Sequence, residues 1–199
     1  MPINCIHQVW LQGGEVPEPL SSNAKSVADI CTKVNWEYKL WDASAVSRLP
    51  EFSGDEFTKL SHECCSIVQQ SNLARFFILR EIGGLYLDLD VQLLNLPSLI
   101  EEAWVPGSRA MHRVGSFALA CPPHHPWIER VVAMLGAVDL SVSGSAGSKL
   151  VAASIGPDVN VWPRELWEAP QKNHSTLGTH SWSGHSRGHF SIPPVLDFH

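Results

Sequence analysis

GGLYLDLDVQLL, residues 83–94, is the stretch that decides the fold. From residue 85 onward, leucine or valine alternates with Tyr86, Asp88, Asp90 and Gln92. A period of two residues is typical of a half-buried strand, because successive side chains of a strand point to opposite faces. The pattern therefore predicts one strand on which Asp88 and Asp90 share a face with Tyr86, while the apolar residues enter the core.

The paired carboxylates of Asp88 and Asp90 need a partner, because like charges on one face of a strand repel each other. A divalent cation is the simplest partner, since hard cations prefer oxygen ligands. The alternative is a solvated edge strand that carries two acidic residues by chance, since Asp is depleted in strands but not excluded from them. The pair alone leaves both interpretations open.

The composition is typical of one globular domain. The chain has 199 residues, of which 44% are hydrophobic and 17% charged. That length supports a substantial core but is marginal for two domains, and the sequence has no internal repeat, so we expect a single domain over residues 1–199. The net charge is −6 and there is no long basic run, which disfavours nucleic acid as a partner.

The sequence carries no signal of export or of membrane insertion. The first residues, MPINCIHQVWLQGG, lack a basic start followed by a long apolar run, and no stretch reaches the length of a membrane span. The five cysteines are an odd, scattered set, which is typical of reduced thiols. These features together predict a cytoplasmic protein.

The segments around the acidic stretch predict an α/β protein. Short strands are expected at 3–11 and 36–41, and apolar residues at helical spacing predict a helix over 62–82. Gly83 and Gly84 end this helix and turn the chain into the acidic strand. In open α/β sheets ligands bind at the carboxyl ends of strands, so the acidic pair lies where a ligand is expected.

Four segments together resemble a known family. They are IHQVWLQG near the N-terminus, WEYKLWD, SNLARFFILREIGGLYLDLDV and the late HSWSG, and they occur in the family's order. The chain is similar in these segments to the small glycosyltransferases with a DxD sugar motif. That group is related to the yeast outer-chain mannosyltransferases and to the catalytic domains of large glucosylating toxins. The resemblance extends over about residues 3–184.

The resemblance implies a fold and a reaction. The expected fold is GT-A, a Rossmann-like mixed sheet flanked by helices, in a minimal single-domain version. The expected activity is transfer of a hexose, with retention of anomeric configuration, from a nucleotide-diphosphate sugar to an unknown acceptor. A UDP-sugar is the favoured donor and GDP-mannose the second. The expected cofactor is Mn²⁺ or Mg²⁺, bound to the donor diphosphate.

The resemblance also assigns roles to residues of the central block and to Trp10. Asp88 is expected to contact the donor and Asp90 to bind the metal, with Asp88 also available to it. Arg75 corresponds to an arginine that approaches the donor sugar and phosphate. Asn72 stands where the family usually has Asp, so the amide can hydrogen-bond a sugar hydroxyl but carries no charge. Trp10 matches the position whose indole packs on the nucleotide base.

Tyr86 of the same block and residues outside it complete the expected donor site. Tyr86 and Gly144 are expected beside the donor, Gly144 because small residues allow close backbone approach. A tail from about residue 171 is expected to close over the diphosphate, with Trp182 packing on the donor and His180 completing the metal shell. His185 competes with His180 for that role, since the Trp that the family usually has after Gly184 is absent.

Ordinary structural roles remain as alternatives at these positions. They are a core position for Trp10, a surface ion pair for Arg75, a half-buried strand position for Tyr86, and a solvated tail position for His180.

Two other classes of protein remain open. One is a non-catalytic nucleotide-sugar or glycan-binding descendant of the same fold, made plausible by Asn72. The other is a metal-dependent phosphodiesterase, although two-metal sites normally need more carboxylates than this stretch offers. The sequence has no GxSxG elbow, P-loop or GxGxxG, so hydrolases, NTPases and dehydrogenases of those types lack their motifs.

Overall fold

The computed structural model describes residues 4–48, 55–96, 101–108, 113–167 and 177–180. Within these ranges the side chains of Asp55, Ser108, Arg164 and His180 are not described. The described helices were compared with the requirements for a membrane span, and none has both the length and the hydropathy to cross a bilayer.

The strands form one large mixed sheet and one small ribbon. In chain order they are β1 (Cys5–Val9), β2 (Glu37–Trp41), β3 (Gly84–Leu87), β4 (Val91–Leu93), β5 (Ala103–Ser108), β6 (Arg113–Val114), β7 (Ala118–Cys121), β8 (Val159–Pro163) and β9 (Gly178–His180). The large sheet has the order β2-β1-β3-β7-β5-β6, with β8 also paired to β5, and β4 pairs with β9 in the ribbon. Strands β2, β1 and β3 are parallel, whereas β7 is antiparallel to β3.

Helices cover both faces of the large sheet. They are α1 (Leu20–Val34), α2 (Ala43–Arg48), α3 (Asp55–Glu63), α4 (Ile67–Glu81), α5 (Pro126–Leu135) and α6 (Ser148–Ser154), followed by a 3-10 turn at Arg164–Leu166. Apolar residues of α4 and α5 pack in one core and those of α1 in another. Strand β3 contributes Tyr86 to the first core and Leu85 and Leu87 to the second, so the alternation of the sequence sorts side chains between two buried faces.

The predicted helix 62–82 is two helices. Helix α3 ends at Glu63 and α4 begins at Ile67, so the prediction of one continuous helix was wrong. Ser66 is extended, and its hydroxyl accepts a hydrogen bond from the Gln69 backbone N–H at 3.2 Å, which caps the new helix. The backbone N–H of Cys65 donates to the Leu140 carbonyl at 3.1 Å. A tertiary contact therefore occupies the break, which the apolar period could not reveal.

The predicted acidic strand is also interrupted. Strand β3 ends at Leu87, and the backbone N–H of Val91 donates to the Asp88 carbonyl at 3.0 Å, which closes a turn over Asp88–Asp90. The expectation of one strand carrying both carboxylates was therefore wrong. Leu89, inside the turn, is only 8% exposed. Every second residue thus stays buried through the turn, as it would in a strand. This explains why the sequence pattern predicted an unbroken strand.

Candidate functional site

The candidate site lies at the edge of the sheet where three parallel strands end. Strand β2 ends at Trp41, Trp10 directly follows β1, and Asp88 directly follows β3. The backbone N–H of Trp10 donates to the Trp41 carbonyl at 2.8 Å. Because carboxyl ends of neighbouring parallel strands meet at one edge, the predicted base-binding tryptophan and the predicted acidic pair occupy the same edge.

Asp88 is held by two side chains through one of its oxygens. Arg75 Nη2 lies 3.2 Å from Asp88 Oδ1, and the Tyr86 hydroxyl donates to the same oxygen at 2.7 Å. The Arg75 guanidinium also lies over the Tyr86 ring, 4.6 Å from its centroid. Burial raises the pKa of Tyr86 well above its ordinary value, so the phenol keeps its proton and remains a donor.

Arg75 is a buried residue rather than a surface one. It is 4% exposed, and its Nη1 donates to the Ser116 carbonyl at 2.6 Å. Its Nη2 also donates to the Asn72 side-chain oxygen. Asn72 and Arg75, three residues apart on α4, are thus in contact, and the alternative of a surface ion pair for Arg75 was wrong. Arg80 on the same helix, whose side chain is 15% exposed, makes ion pairs with Glu56 and Glu81.

Two carboxylates in one turn suit a hard divalent cation. Among the described residues, the hydrogen bond and the ion pair of Asp88 both use Oδ1, which leaves Oδ2 for a further ligand, and the Asp88 side chain is 28% exposed. Asp90 follows two residues later in the same turn and is half-buried. No group of three or more His, Cys, Asp or Glu side chains that could hold a metal occurs among the described residues. The described residues therefore fit a cation with two protein carboxylates, completed by oxygens of a bound phosphate or water.

The backbone of the acidic turn is fastened by side chains that the sequence did not single out. Gln8 Nε2 donates to the Asp88 carbonyl at 3.3 Å, and Asn23 Nδ2 donates to the Leu89 carbonyl at 3.1 Å. The Tyr38 hydroxyl donates to Gln8 Oε1 at 2.8 Å. Gln8 is 0% exposed in a strand whose residues are all buried. A polar residue within this strand was the available signal, because a buried polar group needs hydrogen-bond partners.

A second set of contacts joins the small-residue loop to α4. Gln69, one turn before Asn72, accepts from the Gly144 backbone N–H at 3.1 Å and donates to the Ser145 hydroxyl at 2.7 Å. Ser116, whose carbonyl accepts from Arg75, has its hydroxyl 3.4 Å from that of Ser148. The loop that carries Gly144 is thus tied to the same helix as Asn72 and Arg75. Gln69 and Ser116 were missed from the sequence because neither belongs to a recognisable motif.

The structure describes only some of the remaining predicted residues. Trp10 is half-buried, and its indole N–H donates to the Gly13 carbonyl at 3.2 Å. The backbone of His180 in β9 pairs with Val91, the residue that follows Asp90, so the start of the predicted tail runs beside the acidic turn. Trp182, His185 and the rest of the tail lie outside the described residues. Closure of the tail over a donor therefore stays a prediction.

The family model for a glycosyltransferase sugar-binding region containing a DXD motif matches residues 17–109. This range includes Asn72, Arg75, Tyr86 and both aspartates. It leaves out the predicted base-binding and tail residues.

Curated relatives match over parts of their length. An uncharacterized glycosyltransferase, L373, of Acanthamoeba polyphaga mimivirus is 31% identical over 91 residues, which are 44% of this chain and 35% of that protein. Inositol phosphoceramide mannosyltransferase 3 of Schizosaccharomyces pombe is 29% identical over 199 residues, covering 85% of this chain and 51% of that protein. Inositol phosphoceramide mannosyltransferase 2 of the same yeast is 30% identical over 139 residues, or 64% of this chain and 36% of that protein. The chain thus spans about a third to a half of the length of these relatives.

Two solved structures share the architecture. The PaToxG glycosyltransferase superimposes with a TM-score of 0.61 at 15% identity, covering 77% of this chain and 68% of that one. A glycosyltransferase involved in glycosylation of the major capsid of PBCV-1 gives a TM-score of 0.50 at 13% identity, over 90% of this chain and 94% of that one. At these identities the likeness concerns the fold alone, and it confirms the predicted GT-A architecture.

Proposed function

We propose that this chain, which matches the family model for a glycosyltransferase sugar-binding region with a DXD motif over residues 17–109, transfers a hexose from a nucleotide-diphosphate sugar to an acceptor, with a divalent cation on the diphosphate. The observation that carries the proposal is the acidic turn at the carboxyl end of β3. Its two carboxylates lie where ligands bind in α/β sheets, and one of them is oriented by a buried arginine.

Each residue of the site has a proposed task. Trp10, beside Asp88 at the sheet edge, packs on the base of the nucleotide. Asp88 Oδ2 and Asp90 face the donor and its cation. Arg75 orients Asp88, because its guanidinium lies 3.2 Å from Asp88 Oδ1. Asn72, whose oxygen is used by Arg75, offers its amide N–H groups to a sugar hydroxyl.

The proposed reaction depends more on stabilisation of the leaving diphosphate than on a nucleophilic side chain of the protein. A bound Mn²⁺ or Mg²⁺ supplies positive charge against the charge that develops on the leaving diphosphate. We propose retention of configuration, in line with the resemblance of the sequence to retaining enzymes. The acceptor hydroxyl attacks from the face that the diphosphate leaves. The bond from the anomeric carbon to phosphate oxygen breaks, the bond to the acceptor oxygen forms, and a phosphate oxygen takes the hydroxyl proton.

The donor and the acceptor are open within this class. UDP-glucose or UDP-galactose was the first expectation from the sequence. Both yeast relatives are named as mannosyltransferases, which favours mannose and places GDP-mannose beside the UDP-sugars. Their names also point to inositol phosphoceramide as an acceptor to be tested. Glycans and proteins belong in the same panel.

The first experiment is a ligand panel on purified protein. Thermal stability is measured with UDP, GDP, UDP-glucose, UDP-galactose and GDP-mannose, each with Mn²⁺ and with chelator. We expect one nucleotide to raise the melting temperature only when Mn²⁺ is present, and Asp90→Asn to remove that shift without unfolding the protein. Asp139→Asn, a change at an exposed surface carboxylate, is the matched control and should keep the shift.

The same protein then separates enzyme from binding module. Release of nucleoside diphosphate from the bound donor, lost in Asp90→Asn, identifies a transferase or a donor hydrolase. Binding without release identifies the non-catalytic alternative. Full turnover of Asp90→Asn at saturating Mn²⁺ would overturn the assignment of the metal site.

A further inference from the structure

We infer that Gln8 is a positioning residue that, together with Asn23, sets the direction of both DXD carboxylates and thereby the affinity for the cation. This inference deepens the proposed function and rests on it. Gln8 touches neither carboxylate. It acts on the backbone of the acidic turn, through a chain of hydrogen bonds that begins at Tyr38 in the neighbouring strand.

The orientation of the Gln8 amide is determined by its two partners. The Asp88 carbonyl only accepts, so the amide nitrogen of Gln8 faces it, at 3.3 Å. The Tyr38 hydroxyl then donates to Gln8 Oε1 at 2.8 Å. Burial raises the pKa of Tyr38 above its ordinary value, so the phenol keeps the proton that this hydrogen bond needs.

Two successive peptide planes are held by these contacts. The Asp88 carbonyl accepts from Gln8, and the Leu89 carbonyl accepts from Asn23 Nδ2 at 3.1 Å. A peptide unit is planar and includes the α-carbons on both sides of it. Fixing the planes between residues 88 and 89 and between residues 89 and 90 therefore fixes the α-carbons from which both carboxylates project. Gln8 and Asn23 together therefore determine the directions in which both carboxylates leave the turn.

Burying the Gln8 amide costs free energy, which its hydrogen bonds must offset. The residue is 0% exposed in the middle of β1, and a buried amide is unfavourable unless its groups are hydrogen-bonded. Both ends of this amide are paired, one of them to the turn that carries the candidate metal ligands. Partners that orient metal ligands typically change metal affinity when they are removed.

The test compares Gln8→Leu with Gln70→Leu. Gln70 is also 0% exposed, and its amide donates to the Ser61 carbonyl at 3.2 Å, away from the acidic turn. Both variants lose a buried amide of equal size. Mn²⁺ affinity is measured from the electron paramagnetic resonance of free Mn²⁺, with UDP and with GDP. We expect the Kd for Mn²⁺ to rise about tenfold in Gln8→Leu, and to stay at the wild-type value in Gln70→Leu.

Tyr38→Phe is the second variant, because it removes one hydroxyl and leaves Gln8 in place. We expect a smaller rise in the Kd for Mn²⁺, since the amide keeps its donor but loses the group that orients it. If Gln8→Leu does not fold, Tyr38→Phe decides, and an unchanged Kd there would overturn the inference. An equal rise in Gln8→Leu and Gln70→Leu would also overturn it, since general loosening of the fold would then explain both. Wild-type protein that binds no Mn²⁺ with either nucleotide would refute the proposed function itself, and the inference with it.

Discussion

At the scale of single residues, Asp88 shows how one carboxylate can serve both the fold and a ligand. Its Oδ1 contacts Arg75 and Tyr86, and its Oδ2 stays available. Two donors on one oxygen fix the direction of the carboxylate. The sequence predicted the pairing of Tyr86 with Asp88 on one face. It did not predict that Arg75 is buried, because depth depends on Ser116 and other residues distant in the chain.

Removal of Arg75 should therefore destabilise the protein. In Arg75→Met the Asp88 charge and the Ser116 carbonyl lose their donor in the interior, and we expect a loss of about 3 kcal/mol in the free energy of unfolding. The 28% exposure of Asp88 limits the loss, because water can solvate that carboxylate. Urea denaturation measures it, and a double-mutant cycle with Asp88→Asn isolates the pair.

The matched control for that change is Arg130→Met. Arg130 is 41% exposed and pairs with Asp158, which is 29% exposed. A pair at this exposure contributes about 0–1 kcal/mol, so the loss should be small. Equal losses in the two variants would contradict the special position of Arg75.

At the scale of elements, the turn from α4 into β3 positions the acidic turn. Gly83 and Gly84 have φ values of 71° and 100°, which L side chains rarely adopt. A Cβ on Gly84 would lie 2.6 Å from the Cys5 carbonyl oxygen of the neighbouring strand. The close approach of β3 to β1 therefore depends on glycine. The double glycine predicted the helix end, but only the pairing of the strands shows why no side chain fits.

The loss of folding stability in Gly84→Ala should consequently exceed the loss expected from backbone strain alone. We expect Gly14→Ala, at a φ of 66° with no atom within 4 Å of the added Cβ, to lose about 1 kcal/mol of stability. Gly84→Ala adds a clash with backbone, so its loss should exceed that of Gly14→Ala several-fold, with weaker Mn²⁺-dependent nucleotide binding. Chemical denaturation and the ligand panel measure the two effects. Similar losses at both positions would show that the strands can separate without penalty.

At the scale of the whole molecule, His7 joins three parts of the fold. It is 0% exposed, and its Nδ1 accepts from the Trp41 indole N–H at 3.0 Å. Because an indole only donates, the proton of His7 is on Nε2, which donates to the Gly83 carbonyl at 2.9 Å. Strand β1 is thus linked to the end of β2 and to the turn before β3. Burial lowers the pKa of His7 from 6.5 to about 4.

The His7 contacts predict an acid-sensitive fold. The unfolded chain takes up a proton near pH 6.5 and the folded protein near pH 4. The free energy of unfolding should therefore be constant above that window and fall as the pH decreases through it, by about 3 kcal/mol for this group. His7→Gln should lack this component, which urea denaturation at pH 7, 6, 5 and 4 would show. His124→Gln, at a surface histidine with 62% side-chain exposure, should keep it. A His7→Gln profile parallel to that of the wild type would contradict the assignment.

By itself the sequence determined the fold class, the acidic pair, the helix that carries Asn72 and Arg75, and the place of Trp10 at a strand end. These features follow from the spacing of apolar residues, from the glycines that end a helix, and from a motif of neighbouring residues. All three can be read directly from the sequence. Tertiary structure decided that the aspartates occupy a turn, that the helix breaks at Ser66, and that Gln8, Asn23 and Tyr38 hold the turn. The contacts of Gln8, Asn23 and Tyr38 join residues 30 to 80 positions apart. The pairing of Cys65 with Leu140 is likewise long-range, so no local pattern could report it.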